Sequence, residues 1–291
     1  MSFSPTHLPN LDSPTVLVFD SGMGGLSVFR DLVRTRPDAN FVYAADDAGF
    51  PYGRLDEATL VARVLALMAV LITRLEPSAV VIACSTASTL VLPPLRARYA
   101  VPFVGTVPAV KPACENSVSR LVSVLATPGT VRRDYTQALI RDFAQGCGVT
   151  LVGSTRLAPL AEACMAGLPV SDAELAAEIA PAFVEQDGRR TDTVVLACTH
   201  YPLLLGRLTQ LAPWPVRWVD PAPAIARRVS SLLGPVGDLA CEAPVRLIST
   251  GRPLDAALVE RVVGRTALAG EVIDIAADCD ATDCSTALPR S

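Results

Sequence analysis

Lysine is almost missing from this chain: Lys111, held between Val110 and Pro112, is the only one in 291 residues. Enzymes that work through pyridoxal phosphate need a lysine for the Schiff base. That chemistry would rest on Lys111 alone, with no glycine-rich phosphate loop beside it, so cofactor-free chemistry is expected. Histidine is scarce as well, with His7 near the start and His200 the only other. Long apolar runs are also lacking. The longest, 64–72, lies between Arg63 and Arg74, far short of the roughly 20 residues that span a bilayer, so it reads as a core-facing helix and no membrane partner is expected. No lysine or arginine precedes Arg30, whereas a secretory signal opens on a basic region, so the expected location is cytoplasmic. Charged residues make up 19% and the net charge is −4, which argues against a nucleic-acid partner. Eight cysteines are too few for a disulfide scaffold, and several lie in apolar runs where they would pack as small hydrophobes. Cys279 and Cys284 sit in an acidic tail without the further ligands of a zinc site, so no metal is expected.

What the chain does have is apolar residues, 51% of the total, arranged as strand-like runs that alternate with helical ones. Runs at 15–19, 40–44, 79–83 and 101–104 are followed by a second series at 120–125, 150–152 and 193–197. That alternation marks an α/β fold with parallel sheets, and the second series has the layout of a diverged copy of the first. The expected architecture is two similar parallel-sheet α/β domains with a shared cleft where the carboxyl ends of their strands meet. The proline-rich segments 107–112 and 213–215 read as crossings. The first domain is therefore expected over 14–107 plus 216–275 and the second over 108–215, with a flexible leader at 1–13 and a disordered tail at 276–291.

Two apolar runs end in the same way. Val80-Val81-Ile82-Ala83 delivers Cys84-Ser85-Thr86, and Val194-Val195-Leu196-Ala197 delivers Cys198-Thr199-His200. Backbone N–H groups at a helix start favour a thiolate there. Inverting a Cα centre needs a base on one face and an acid on the other, and two thiols can fill both roles; the alternative is a pair of structural thiols. His200 is placed either to orient or protonate Cys198 or to serve as a buried hydrogen-bonder. Asp20-Ser21-Gly22-Met23-Gly24-Gly25 follows a strand and precedes a helix. Its glycines suit a tight anion-binding turn, and Asp20 could bind an ammonium or assist a thiol. As a dinucleotide fingerprint it lacks the last glycine and finds its ribose acid only loosely in Asp46. The Asp46–Gly53 stretch by itself says only loop, and Glu162 by itself reads as a solvated helix residue.

Taken together, Phe19-Asp20-Ser21-Gly22-Met23-Gly24-Gly25, Pro51-Tyr52-Gly53, Ala83-Cys84-Ser85-Thr86-Ala87-Ser88, 104–112 and Cys198-Thr199-His200-Tyr201-Pro202 resemble the cofactor-independent glutamate racemases of the aspartate/glutamate racemase superfamily. The resemblance runs from about 16 to 275. It implies two α/β domains related by a pseudo-two-fold with the active site between them, and Cys84 and Cys198 as the two proton donor/acceptors. Asp20 would assist the first thiol and Glu162 and His200 the second. Asp20, Ser21, Tyr52, Gly53, Ser85, Thr86, Thr130, Thr199 and His200 would hold the substrate. The implied activity is interconversion of L- and D-glutamate, an isomerase supplying peptidoglycan synthesis, and the family's habit is homodimerisation. Alternatives are an aspartate or other small-acid racemase, or a catalytically weak binding protein on the same fold. One position departs from the family, which usually carries Asn where this chain has Ser85. A serine is shorter and offers one hydroxyl in place of an amide's donor and acceptor.

Overall fold

The computed structural model describes residues 13–237 and 240–274. His7, the leader apart from Ser13, and the tail with Cys279 and Cys284 lie outside the described residues.

Strands β1 (Thr15–Asp20), β2 (Asn40–Ala45), β3 (Ala79–Ile82) and β4 (Phe103–Gly105) form one parallel sheet in the order β2-β1-β3-β4. Strands β5 (Leu121–Ala126), β6 (Gly148–Gly153), β9 (Thr193–Ala197) and β10 (Arg217–Val219) form the other, in the order β6-β5-β9-β10, and a small hairpin of β7 (Glu185–Gln186) and β8 (Arg189–Arg190) precedes β9. The chain then returns to the first sheet, where β11 (Arg246–Ser249) pairs with β2 and β12 (Glu271–Val272) with β11. The two sheets thus share one four-strand topology, in which β5 corresponds to β1 and β9 to β3. The expected repeat is legible as matching strand order.

One boundary differs from the sequence reading. The segment expected to rejoin the first domain at 216 stays in the second sheet, where Arg217 pairs with Thr193 and Val219 with Val195. The repeat explains why: β10 fills the position that β4 fills in the first sheet. The preceding proline-rich stretch is only a turn, pinned by Trp214 Nε1 donating to the Thr191 carbonyl at 2.8 Å.

Helices α1 (Leu26–Thr35), α2 (Glu57–Leu75) and α3 (Ser85–Arg98) follow the first three strands. In the second unit come α4 (Val110–Asn116), α5 (Pro128–Arg132), α6 (Asp134–Phe143), α7 (Leu157–Met165), α8 (Asp172–Ile179) and α9 (Leu205–Leu211), and α10 (Ala222–Leu233) and α11 (Ala256–Val263) complete the first. Strands sandwiched this way are apolar on both faces. Alternate residues therefore feed two cores: Val16, Val18 and Tyr43 pack with α1, α10 and α11, whereas Leu17, Phe19 and Val42 pack with α2 and α3. Helix α2 is long and apolar enough to cross a membrane by length and composition. Its Leu60, Val64, Leu67, Met68 and Leu71 lie in the core instead, and Asp56 caps its start by accepting the Thr59 N–H at 2.9 Å.

Leu67 is fully enclosed at the centre of that stripe. Leu67→Ala is expected to cost about 2–5 kcal/mol, the usual price of a buried leucine plus its cavity, read as a lowered urea midpoint. Arg74→Ala at the exposed end of α2, which breaks only a half-exposed pair with Glu271, should cost less than about 1 kcal/mol.

Candidate active site

The two sheets meet at the carboxyl ends of their strands. Asp20 closes β1; its Oδ1 accepts the Gly22 N–H at 2.9 Å and its Oδ2 accepts the Thr199 hydroxyl at 3.1 Å. Ser27 Oγ, from α1, donates to the Thr199 carbonyl at 2.8 Å. Cys84 leaves β3 as the residue before α3, with its Sγ 3.5 Å from Ser21 Oγ. Cys198 follows β9 directly and opens the turn before the short 3-10 helix Tyr201–Leu204, with its Sγ 3.8 Å from His200 Nδ1. On the far side of the ring, His200 Nε2 lies 2.8 Å from Glu162 Oε1, and that same oxygen accepts the Met23 N–H at 2.7 Å. Glu162, a surface helix residue to the sequence eye, is the piece that ties α7 to the turn after β1.

These contacts explain the glycines. Neither Gly22 nor Gly24 has positive φ; what they provide is room. A Cβ at Gly22 would come within 2.6 Å of Glu162 Oε1, and one at Gly24 would fall into the His200 ring. The turn expected to cradle an anion instead gives the Met23 N–H to the Glu162 carboxylate.

The remaining expected substrate residues fall into two groups. Ser85 opens α3 with its hydroxyl buried and without a hydrogen-bond partner among the described residues. Thr86 reaches across to the second unit, where its hydroxyl lies 3.1 Å from that of Thr127, which in turn lies 3.1 Å from Thr130 Oγ1. Gly53 faces the Thr127 side chain. Tyr52 is buried, and its hydroxyl is committed to Asp46 Oδ2 at 2.5 Å. Asp46 also holds Arg63 and the Thr250 hydroxyl, an anchoring role in place of the ribose contact of a dinucleotide site. Lys111 sits on α4, 4.0 Å from Glu115.

Sequence reasoning missed several neighbours. Thr127 bridges Thr86 and Thr130, and Arg133 donates to the Thr86 carbonyl and the Thr89 hydroxyl. Tyr43 OH donates to the Gly22 carbonyl at 2.7 Å, and Phe50 lies against His200 with ring centroids 5.5 Å apart. Thr127 carried a signal, since it ends the strand that corresponds to β1; the others are brought in by tertiary contacts alone. Glu162, Gly22, Met23 and Phe50 also line a cavity of about 790 Å³ that is walled on its other side by Arg252, Leu258 and Arg261.

Burial dominates the electrostatics. It pushes Cys84 up to about 12, with the Asp20 charge adding to the effect and the hydrogen bonds from Ser21 and the Ala87 N–H opposing it. Cys84 is therefore a thiol in this structure, contrary to the expectation that the helix start would favour thiolate: the helix N–H contribution is real but smaller than desolvation. Burial likewise raises Asp20 to about 6, opposed by His200, the Gly22 N–H and Thr199. For His200 burial pulls down, but hydrogen bonds to Cys198 and Glu162 outweigh it and hold the ring well above its ordinary value. Glu162 mirrors this, with burial pushing up and the His200 bond and charge leaving it lowered. An imidazolium donates from both nitrogens, so Cys198 Sγ accepts from His200 while Cys84 keeps its own proton.

The model of the Asp/Glu/Hydantoin racemase family matches residues 23–229. A glutamate racemase of Brucella anthropi is 57% identical over 236 residues, 81% of this chain and 84% of that protein. One of Brucella suis is 59% identical over 219 residues, 75% of this chain and 79% of that protein. The solved structure of Escherichia coli glutamate racemase, in complex with L-glutamate and the activator UDP-MurNAc-ala, aligns with a TM-score of 0.81 at 39% identity, covering 90% of this chain and 98% of that one. The fold and these relatives mark the chain as a racemase, an isomerase built from two α/β domains. The chain belongs to the Asp/Glu/Hydantoin racemase family.

Asp20 raises Cys84 through its charge, so Asp20→Asn should let Cys84 ionise at lower pH. The expected result is faster alkylation of Cys84 at a fixed alkaline pH, followed by peptide mass spectrometry; an unchanged rate would contradict the charge coupling.

Proposed function

We propose that this protein interconverts L- and D-glutamate by moving the Cα proton between Cys84 and Cys198 on opposite faces of the substrate. The observation that carries the reading is the placement of two buried cysteines at the carboxyl ends of corresponding strands, β3 and β9, each with its own polar partner. The glutamate racemases named above, one of them with L-glutamate bound, support the substrate assignment.

In this reading one sulfur, as thiolate, removes the Cα proton while the other, as thiol, delivers a proton to the opposite face, and the reverse reaction exchanges the roles. Asp20 stands behind Cys84, and Glu162 and His200 stand behind Cys198. The start of α3, with Ser85 and Thr86, offers backbone N–H groups and hydroxyls to a carboxylate. Asp20 and Ser21 face the ammonium, and Tyr52-Gly53, Thr130 and Thr199 close the site around the side chain. An ammonium beside Asp20 and Cys84 would oppose the burial that keeps the proton on Cys84, so substrate binding itself helps to generate the base. The product supplies peptidoglycan synthesis, and the reading carries a cytoplasmic location and a homodimer with it.

Protein freed of metal and pyridoxal phosphate, incubated with D-glutamate or D-aspartate, is expected to bring glutamate to zero optical rotation. Inversion of aspartate alone would move the assignment to a smaller acid. Cys84→Ala and Cys198→Ala should each abolish racemisation in both directions, and near-normal turnover by either would contradict the two-thiol mechanism.

The unpartnered Ser85 hydroxyl is available to a charged substrate group. A hydrogen bond to such a group is worth about 1.5–3 kcal/mol, so Ser85→Ala should lower kcat/KM roughly 10- to 150-fold. An unchanged kcat/KM would remove Ser85 from the substrate contacts.

A further inference from the structure

A second pair of thiols lies at the opposite end of the second sheet. Cys114 is buried on α4 and Cys147 is half-buried in the turn that leads into the first residue of β6. Both sit away from the carboxyl rim where Cys198 emerges. Cys147 Sγ lies 3.5 Å from the Cys114 carbonyl, and Arg120 Nη1 lies 3.2 Å from that carbonyl and 3.9 Å from Cys147 Sγ. Burial first, and then the neighbouring Cys147 side chain, push Cys114 up to about 12. Cys114 and Arg120 line a cavity of about 250 Å³.

We propose that Cys114 and Cys147 are a dithiol modification site that closes to an intrachain disulfide by exchange with a small disulfide such as oxidised glutathione. Three features meet here: the Cys147 side chain seated against Cys114, a Cys147 thiol that is only half-buried, and a guanidinium beside both residues. A cation next to a cysteine favours the thiolate that attacks. The Cys147 sulfur attacks one sulfur of the small disulfide, forming a mixed disulfide and releasing one small thiol. The Cys114 sulfur then attacks the Cys147 sulfur, which forms the intrachain bond and releases the second small thiol. Both protein thiols lose their protons, and the two electrons reduce one small disulfide to two thiols. Cys84 and Cys198 are instead both buried, with their sulfurs beside Ser21 and His200. Closure at 114–147 therefore precedes oxidation at the active rim.

The test uses the full chain, treated natively with oxidised glutathione, quenched with acid, alkylated after denaturation and digested with trypsin. The expected product links peptides 99–120 and 142–156, two hydrogens lighter than their sum and split by dithiothreitol, with Cys84 and Cys198 still alkylated at that time. Cys147→Ala should abolish the link, and Arg120→Ala should slow its formation several-fold in a protein whose circular dichroism is unchanged. Recovery of Cys114 and Cys147 as separate alkylated peptides, or earlier oxidation of Cys84 or Cys198, would overturn the proposal. The wild-type peptide map decides the question even if a variant fails to fold.

Discussion

One carboxylate oxygen holds the site together. Glu162 Oε1 accepts the Met23 N–H from the turn after β1 and faces His200 Nε2 from the turn after β9. It is thereby bonded to both carboxyl rims at once. The interaction is worth more than a surface ion pair because it is largely buried, and removing one partner would leave the other as an uncompensated buried charge. The pair is charged between the lowered Glu162 and the raised His200. The Glu162 contribution is present above its ordinary value and lost as pH falls through its lowered one. The His200 contribution is present below its ordinary value and lost as pH rises through its raised one. Gly22 and Gly24 exist to let these two side chains approach the backbone.

The same kind of burial keeps the proton on Cys84. Cys84 faces Asp20 and little water, so its proton stays on; Cys198 faces a cationic ring. The proposed two-thiol inversion calls for such an asymmetry of surroundings, since two thiolates could only remove protons and two thiols could only donate them. Near-symmetric strand placement with unlike neighbours provides it.

Much of this was legible in the sequence, because the chemistry sits where hydrophobic runs stop. Cys84, Cys198, Asp20 and Thr127 each end a buried strand, and strand ends are what a single sequence marks well. The parallel α/β repeat follows from the same runs. Less visible was anything that depends on a partner distant in the chain. Glu162 reads as solvated until α7 is laid against the turn after β1. The Asp46–Gly53 stretch reads only as loop until the Tyr52 hydroxyl is seen to donate to Asp46. The expected thiolate at Cys84 followed from local helix geometry, whereas desolvation, a property of the assembled core, outweighs it. Arg217–Val219 was assigned to the wrong sheet because prolines mark turns without saying which sheet the chain enters next.

The central claim, that two separate thiols serve the two faces of one Cα, is tested most directly by racemising D-glutamate in D2O and stopping at low conversion. The account predicts L-glutamate deuterated at Cα while the remaining D-glutamate still carries protium, because the group that delivers is not the group that removed. L-Glutamate retaining the substrate's own Cα protium would show one group serving both faces and would contradict the account.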